Sequence, residues 1–395
     1  MKILYHHRTR GDGAEGVHIA EIVAALRDLG HEVQIVCPKS AKRSPGLDSK
    51  DPNVARKPRK LQSFLKQSAE VVYNVVSYFR VQRGISEYQP DFVYERYSSY
   101  NFAGVLAANR LAVPIIVEVN ATFAGKFGSR FPVCFPNLLH KSERFVLENA
   151  NGLVVVSKAL ESCVCNAKVD CNRVTVSPNA INSNRVAEIN RDKVRDQKRR
   201  KLAIEDAVVI GFVGSLRKWH GIDFFAGAMA KIAAQFDRAR FIFVGRGEHE
   251  PELRRQVMEA GIEDKVHFLG AIPHSDVYPW VAAMDIGVMP DSNEFGSPMK
   301  ILEYMAMGCV PVGPRLGPIE EIIEDGVTGK LFDRRSESSF VQAIIELCND
   351  DILRDQIGED ARKFVLKTRT WNKNAQDIVD LFIQIEQDRG QEGVR

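Results

Sequence analysis

The stretch Asp291–Gly313, DSNEFGSPMKILEYMAMGCVPVG, decides how this chain is read. Its residue types predict an extended loop over Asp291–Pro298, a short helix over Met299–Met307 and a strand over Val310–Gly313. Pro298 suits a first helical turn, where its missing N–H is no loss. Ser297, just before it, has the side chain of an N-cap. The free amides of Met299 and Lys300 would then point into the preceding loop. A helix N-terminus carries partial positive charge and makes a seat for a phosphate or diphosphate, and Lys300 adds a full charge. Glu303, one turn on, can accept hydrogen bonds from vicinal sugar hydroxyls. Ile301, Leu302, Met305 and Ala306 supply a packed face.

These residues resemble the carboxylate–helix–carboxylate segment of family 4 retaining glycosyltransferases of the GT-B fold, which often reads E-x-F-G-x-x-x-x-E-A-M-A-x-G-x-P-V. Glu303 stands at the second carboxylate, and Met305–Val312, MAMGCVPV, follows the pattern. Phe295 stands at the spacing of the first carboxylate, with Glu294 one residue away. Either a loop shift brings Glu294 into place, or this branch does without that group and Glu294 is an ordinary solvated loop residue. The resemblance implies a catalytic role for Glu294 and donor binding by Ser297, Met299, Lys300, Ile301 and Glu303.

Upstream, Val208–Val213 reads as a strand running into Gly214–Gly221, GSLRKWHG. Relatives carry Arg after the first glycine and Lys before the last, and both clamp the diphosphate. Here those positions hold Ser215 and His220. Negative charge developing on a leaving diphosphate needs compensation, and Arg217, Lys218 and Lys300 are the replacements at hand. Strands at Arg240–Val244, Lys265–Leu269 and Asp285–Met289 alternate with helices at Ile222–Gln235 and Glu252–Ala260, a regular βαβ pattern. Glycines Gly245 and Gly270 stand at strand ends. Val266–His274, VHFLGAIPH, resembles the family segment whose backbone reads the nucleobase, which implicates Gly270 and Ile272. His274 reads as a helix-start residue. Downstream come a strand over Val327–Phe332 and helices over Ser336–Cys348, Ile352–Leu366 and Trp371–Ile385. The polar tail Gln387–Arg395 reads as frayed.

The N-terminal half opens with a strand, Ile3–Tyr5, a helix over Val17–Leu29 with Ile19, Ile22, Val23 and Leu26 at helical spacing, and a strand over Glu32–Cys37. Gly11, Gly13 and Gly16 fit G-x-G-x-x-G, which raises NAD binding. The first glycine lies well past the strand, however, and no acidic residue closes the next strand at Cys37-Pro38-Lys39. Gly16-Val17-His18 instead resembles the family's opening, where the glycine loop faces the donor; Gly16 and His18 are its donor-side residues. Asp91–Glu95, Val113–Val119, Gly152–Ser157 and Val174–Pro178 read as further strands. Glu118-Val119-Asn120 puts Asn120 at a strand's C-terminal end, where α/β sheets bind ligands. Relatives often have a histidine near that place, and the resemblance gives Asn120 the catalytic-side contact with a sugar hydroxyl. The loop Ala121–Pro136, with Phe123, Lys126, Phe127, Arg130, Phe131 and Phe135, faces an acceptor or packs beneath itself.

From residue 39 to 66 lysines and arginines face only Asp48 and Asp51, and an amphipathic helix with Leu65, Val72, Val76 and Phe79 follows over Leu61–Phe79. Such a segment either lies on an anionic membrane surface or forms a solvated loop. Pro178-Asn179-Ala180-Ile181-Asn182 resembles the family's P-N-G-V-D domain junction. The expected organisation is α/β: two Rossmann-like domains (GT-B) facing each other across a cleft. They comprise an acceptor-side domain at 1–180, a nucleotide-sugar domain at 181–370, and a helix at 371–395 crossing back to the first.

At 395 residues the chain is long enough for two domains. Hydrophobic content of 45% with charged content of 27% is that of a globular protein, and a net charge of +3 gives no reason to expect nucleic acid. No apolar run reaches the roughly 18 residues of a membrane span, and Met1–Arg8 has no signal-peptide pattern. Seven cysteines without a disulfide framework suggest thiols in a reducing cytoplasm. Cys163, Cys165 and Cys171 lack the paired spacing of a zinc site. The resemblance implies metal-free transfer of a sugar from a nucleotide sugar, with no cofactor beyond that substrate, to a carbohydrate or lipid-linked acceptor. The rivals are a sugar-nucleotide epimerase on the same fold and a non-catalytic subunit that binds nucleotide sugar for a partner transferase.

Overall fold

The computed structural model describes residues 1–11, 13–38, 60–123, 133–167 and 169–392. Most of the basic segment (39–59) and the loop residues Lys126, Phe127, Arg130 and Phe131 lie outside the described residues. Among those described, the chain up to Pro178 and from Trp371 onward forms one compact unit, and Asn179–Thr370 forms another.

The first unit is built on β1 (Lys2–His6), β2 (Glu32–Val36), β3 (Phe92–Arg96), β4 (Ile115–Val119), β5 (Gly152–Val155) and β6 (Val174–Val176), in the order β2-β1-β3-β4-β5-β6. All pairs are parallel, so helices cover both faces. The strands accordingly read as apolar runs, with Ile3, Leu4, Phe92, Val93, Ile115 and Ile116 fully buried.

The helix α1 (Ala14–Asp28) starts three residues before the expected Val17, with Gly13 as its N-cap. The glycine run therefore overlaps the first helical turn, and Gly16 N–H donates to the Gly13 carbonyl at 2.9 Å. A Cβ at Gly16 would collide with the Gly11 carbonyl oxygen, so the close approach served by this glycine is to its own loop. The helix α2 (Lys60–Tyr88) runs 29 residues, well beyond the expected Phe79. Its later turns bury Val81 and Ile85, while Leu61, Leu65, Val72, Val75, Val76 and Phe79 stay exposed. The C-terminal helix Trp371–Glu392 belongs to this unit: Phe382 stacks on Phe92 at 4.6 Å between ring centroids. Leu381 and Ile385 fill the space left by Gly152.

The second unit carries β7 (Val208–Val213), β8 (Ala239–Val244), β9 (Val266–Gly270), β10 (Ile286–Val288), β11 (Val310–Pro314) and β12 (Lys330–Phe332), in the order β12-β11-β10-β7-β8-β9, again all parallel. Phe212, Phe225, Phe241, Phe243 and Phe340 fill one side of the sheet. Ile301, Leu302, Tyr304, Met305 and Trp280 fill the other. At the N-terminal edge Asp285 is buried between the guanidinium groups of Arg195 and Arg199 and accepts the Val209 N–H at 2.7 Å.

In each sheet the first strand is internal and the chain leaves it in opposite directions. The order reverses between β1 and β3 in one unit and between β7 and β10 in the other. Ligands of open α/β sheets bind outside the carboxyl ends of strands at such reversals.

Cys165 and Cys171 lie side by side with a Cα separation of 5.5 Å, a pairing that the sequence reading did not anticipate. Cys309 and Cys348 are free and buried. Among the described residues no helix is long and apolar enough to cross a membrane.

Candidate functional site

At the reversal in the second unit, β7 is followed by Gly214, whose φ is +129°, and β8 by Gly245, whose φ is +133°. A Cβ on Gly245 would strike the Gly214 carbonyl oxygen, so the two turns can only lie this close as glycines. Gly245 N–H donates to the Gly270 carbonyl at 2.8 Å, which ties the third strand end to the first two. Gly214, Gly245 and Gly270 thus form a continuous backbone ledge. Ile272, just beyond it, packs against the core.

The loop after β7 is ordered by its own polar groups. Arg217 Nε donates to Ser215 Oγ at 3.0 Å, and His220 Nδ1 lies 2.6 Å from the Ser215 carbonyl. Arg217 and Lys218 are exposed, and the Trp219 ring lies tilted against His220 at 3.6 Å between centroids. The loop after β10 meets this one through the Asp291 N–H, 3.2 Å from the His220 carbonyl. Glu294 is ion-paired to Arg334 at 3.2 Å, and the same guanidinium reaches Asp291 at 3.0 Å and the Ser292 carbonyl at 3.1 Å. Arg334, two residues after β12, was not singled out in the sequence. Its position past a strand's carboxyl end is the signal that could have found it.

The helix Met299–Ala306 follows, and here the expected cap is wrong. Pro298, not Ser297, occupies the N-cap position, and no side chain caps the helix. Ser297 is claimed by Asn179, whose backbone N–H donates to Ser297 Oγ at 3.0 Å and whose side-chain amide donates to the Ser297 carbonyl at 2.6 Å. The first-turn amides at Met299 and Lys300 are therefore left without a side-chain acceptor. Ile301 is fully buried and Glu303 is 7% exposed. Tyr304 anchors the helix: its hydroxyl accepts the Val213 N–H at 2.9 Å and donates to the Val288 carbonyl at 3.3 Å. Gly287 leaves room for its ring.

Lys300 also departs from expectation. Its Nζ is fully enclosed, 4.1 Å from the centroid of the Phe212 ring, with no hydrogen-bond partner. It faces Gly214, where a Cβ would come within 3.1 Å of it. Burial pushes its amine down to about 7, against the opposing charge of Glu303. It is not the freely charged lysine of the sequence reading.

In the first unit, polar groups converge on Glu118 at the end of β4. The carboxylate is 1% exposed. It accepts from His18 Nε2 at 2.9 Å, from the Tyr94 hydroxyl at 3.0 Å, and from Arg96 and the Asn120 amide. Burial alone would push this carboxyl up, but His18 and Arg96, with hydrogen bonds from His18 and Asn120, hold it well below the usual range. His18 is buried and lies edge-on to Trp371 at 4.8 Å. His18 and Asn120, expected to face a sugar, are thus held to Glu118, and Gly16 serves the loop. Beside them, burial with His6 and Arg96 nearby lowers the His7 imidazole to about 4. Among the described residues no group of three or more His, Cys, Asp or Glu is placed to hold a metal ion.

Comparison with known proteins fits this geometry. Residues 15–185 match the family Glycosyltransferase Family 4, and residues 207–350 match Glycosyl transferases group 1. The D-inositol 3-phosphate glycosyltransferase of Corynebacterium glutamicum is 27% identical over 308 residues, 74% of this chain and 72% of that one. The alpha-D-kanosaminyltransferase of Streptomyces kanamyceticus is 22% identical over 275 residues, 66% of this chain and 68% of that one. Among solved structures, HepE of Anabaena in complex with UDP superposes with a TM-score of 0.74 at 18% identity, covering 97% of this chain and 100% of its own. Sucrose-phosphate synthase of Thermosynechococcus elongatus gives 0.73 at 18% identity, covering 98% and 99%. Their fold is the one described above, two parallel six-stranded α/β units of GT-B type. With both halves of the chain matched, the protein belongs to the family 4 (group 1) glycosyltransferases.

Proposed function

We propose that this glycosyltransferase moves a sugar from a nucleoside diphosphate sugar to a hydroxyl acceptor with retention of configuration, without a metal ion. The observation that carries the reading is the uncapped helix Met299–Ala306 beside a glycine ledge, with the enclosed, unpartnered amine of Lys300 between them. An anion there would receive backbone N–H groups and a charge-assisted hydrogen bond. Complexes of HepE with UDP and with UDP-glucose support a nucleotide sugar as donor.

In this reading Lys300, Arg217 and Lys218 compensate the leaving diphosphate in place of the cations that Ser215 and His220 do not supply. Glu303 holds sugar hydroxyls, Gly270 and Ile272 flank the base, and Glu294, fixed by Arg334, faces the donor sugar. Asn120 contributes a hydrogen bond to a sugar hydroxyl. The acceptor oxygen bonds to the anomeric carbon as the bond to phosphate breaks on the same face. The acceptor proton passes to the departing phosphate oxygen, so no protein base is needed.

The reading extends to a carbohydrate or lipid-linked acceptor in polysaccharide or glycolipid assembly at the cytoplasmic face of a membrane. Leu61, Val72 and Phe79 on α2 are 67%, 65% and 62% exposed, and basic residues precede them. Val72→Glu should then lower co-sedimentation with phosphatidylglycerol vesicles several-fold; equal sedimentation would remove the membrane from the proposal.

Calorimetry with UDP, GDP, ADP and NAD tests the core. One nucleoside diphosphate should bind, and Glu303→Ala should weaken binding of its nucleotide sugar by about tenfold, the worth of one charged hydrogen bond. If no nucleoside diphosphate binds, the transferase reading fails. Binding without turnover on any acceptor would favour the non-catalytic subunit.

A further inference from the structure

The proposed donor seat encloses an amine that the protein itself does not partner. Lys300 Nζ is enclosed by the Phe212 ring and the Gly214 turn, and no acceptor reaches it. A lysine ammonium has three donors and no acceptor, so a charged Lys300 would bury three unsatisfied donors. The titratable and charged groups on the surrounding elements are few. Glu303 and Tyr304 share its helix; Arg217, Lys218 and His220 follow β7; Arg246 follows β8. The Tyr304 hydroxyl is engaged by Val213 and Val288, and His220 by the Ser215 carbonyl. Glu303 is the charge that acts on the amine, and it does not outweigh burial.

We propose that, above neutral pH, Lys300 stands as a neutral amine in the free protein and takes up a proton when a diphosphate arrives, so that donor binding is coupled to proton uptake. The inference rests on the nucleotide-sugar reading and adds to it a regulation by pH. The added proton sits on Nζ and converts a lone amine beside an aromatic ring into an ammonium paired with a phosphate oxygen. The phosphate supplies the acceptor that is missing, and the helix N-terminus shares its charge. When the diphosphate leaves, the ammonium loses its acceptor and the proton returns to solvent.

UDP-glucose is the suitable probe, because its doubly esterified diphosphate does not itself titrate near neutral pH. Calorimetry at pH 8 in buffers of different ionisation enthalpy should report uptake of close to one proton per UDP-glucose bound, and little uptake at pH 6. Affinity should fall by roughly tenfold between pH 7.5 and 8.5, as linkage of one proton requires. Lys300→Met should bind more than tenfold more weakly at pH 6.5, with no proton uptake and a flat pH profile.

Binding by the wild type at pH 8 without proton uptake overturns the inference and leaves the nucleotide reading standing. Proton uptake that persists in Lys300→Met overturns it as well, by assigning the proton elsewhere. No binding of UDP-glucose at any pH, with UDP bound, means the seat takes a diphosphate but not this one, and the same two readouts on UDP against Lys300→Met then decide. If neither binds, this inference falls together with the reading beneath it.

Discussion

Glu118 and Lys300 are both ionisable groups buried at the carboxyl edge of a parallel sheet, one in each unit, and they are treated in opposite ways. Glu118 is surrounded by His18, Tyr94, Arg96 and Asn120, which together satisfy its two oxygens. Lys300 has an aromatic ring, a glycine turn and no acceptor. Burying an ion is costly unless it is paired and hydrogen-bonded. The first site is complete as it stands; its job is to hold the ends of β3, β4 and α1 in register. The second has no acceptor within the protein, which is why an anion is proposed there.

The largest effect should come from breaking the complete site. Arg96→Met leaves Glu118 buried with one cation fewer. Removing one partner of a buried pair costs about 3–5 kcal/mol. In urea, the first unit should therefore unfold well before its wild-type midpoint. The acid limb should move as well. Glu118 has a depressed folded-state pKa, so its contribution is present above the unfolded carboxyl range and is lost as pH falls through the folded value. With Arg96 gone the folded value rises, and that loss begins at a higher pH. A variant as stable as wild type from pH 4 to 7 would mean that Glu118 is not held by charge, and the contrast with Lys300 would collapse.

The two sites were unequally legible in the sequence. The βαβ alternation could be read from apolar runs and strand-end glycines, because those signals are local. The helix beginning at Met299 and its Gly308 stop, where φ is +63°, are local too. At the candidate site, what was missed involves partners distant in the chain. Ser297 resembles a cap until Asn179, 118 residues away, takes its hydroxyl. The bond of His18 Nε2 to Glu118, 100 residues away, was not legible either. Arg334 acquires meaning only beside Glu294, 40 residues earlier. Lys300 is the instructive case: its identity and place in the helix were legible, but its enclosure by Phe212 was not. Spacing predicts which residue faces a site; it does not predict whether that residue is solvated there.

The smaller effect separates the two sites by sign. Replacing the enclosed amine of Lys300 with a methionine removes a buried polar group that has no partner, and fills the same volume with apolar atoms. Leaving such a group unsatisfied costs about 1–3 kcal/mol, so Lys300→Met should be more stable than wild type near neutral pH, while binding donor more weakly. The pH dependence fixes the cause. The amine is lowered to about 7 in the folded protein from 10.5 when free. Between those values the unfolded chain binds more protons than the folded one, so wild-type stability gains from this group as pH rises, by roughly 1.4 kcal/mol per unit at most. The difference between variant and wild type should therefore be greatest below pH 7 and shrink toward pH 10, with the buried tyrosines and Cys309 cancelling because both proteins carry them. Parallel denaturation series from pH 6 to 9 measure it. If Lys300→Met is instead the less stable protein, with a gap that does not change with pH, the ammonium already has what it needs in the folded chain, and both buried charges belong to the same complete kind.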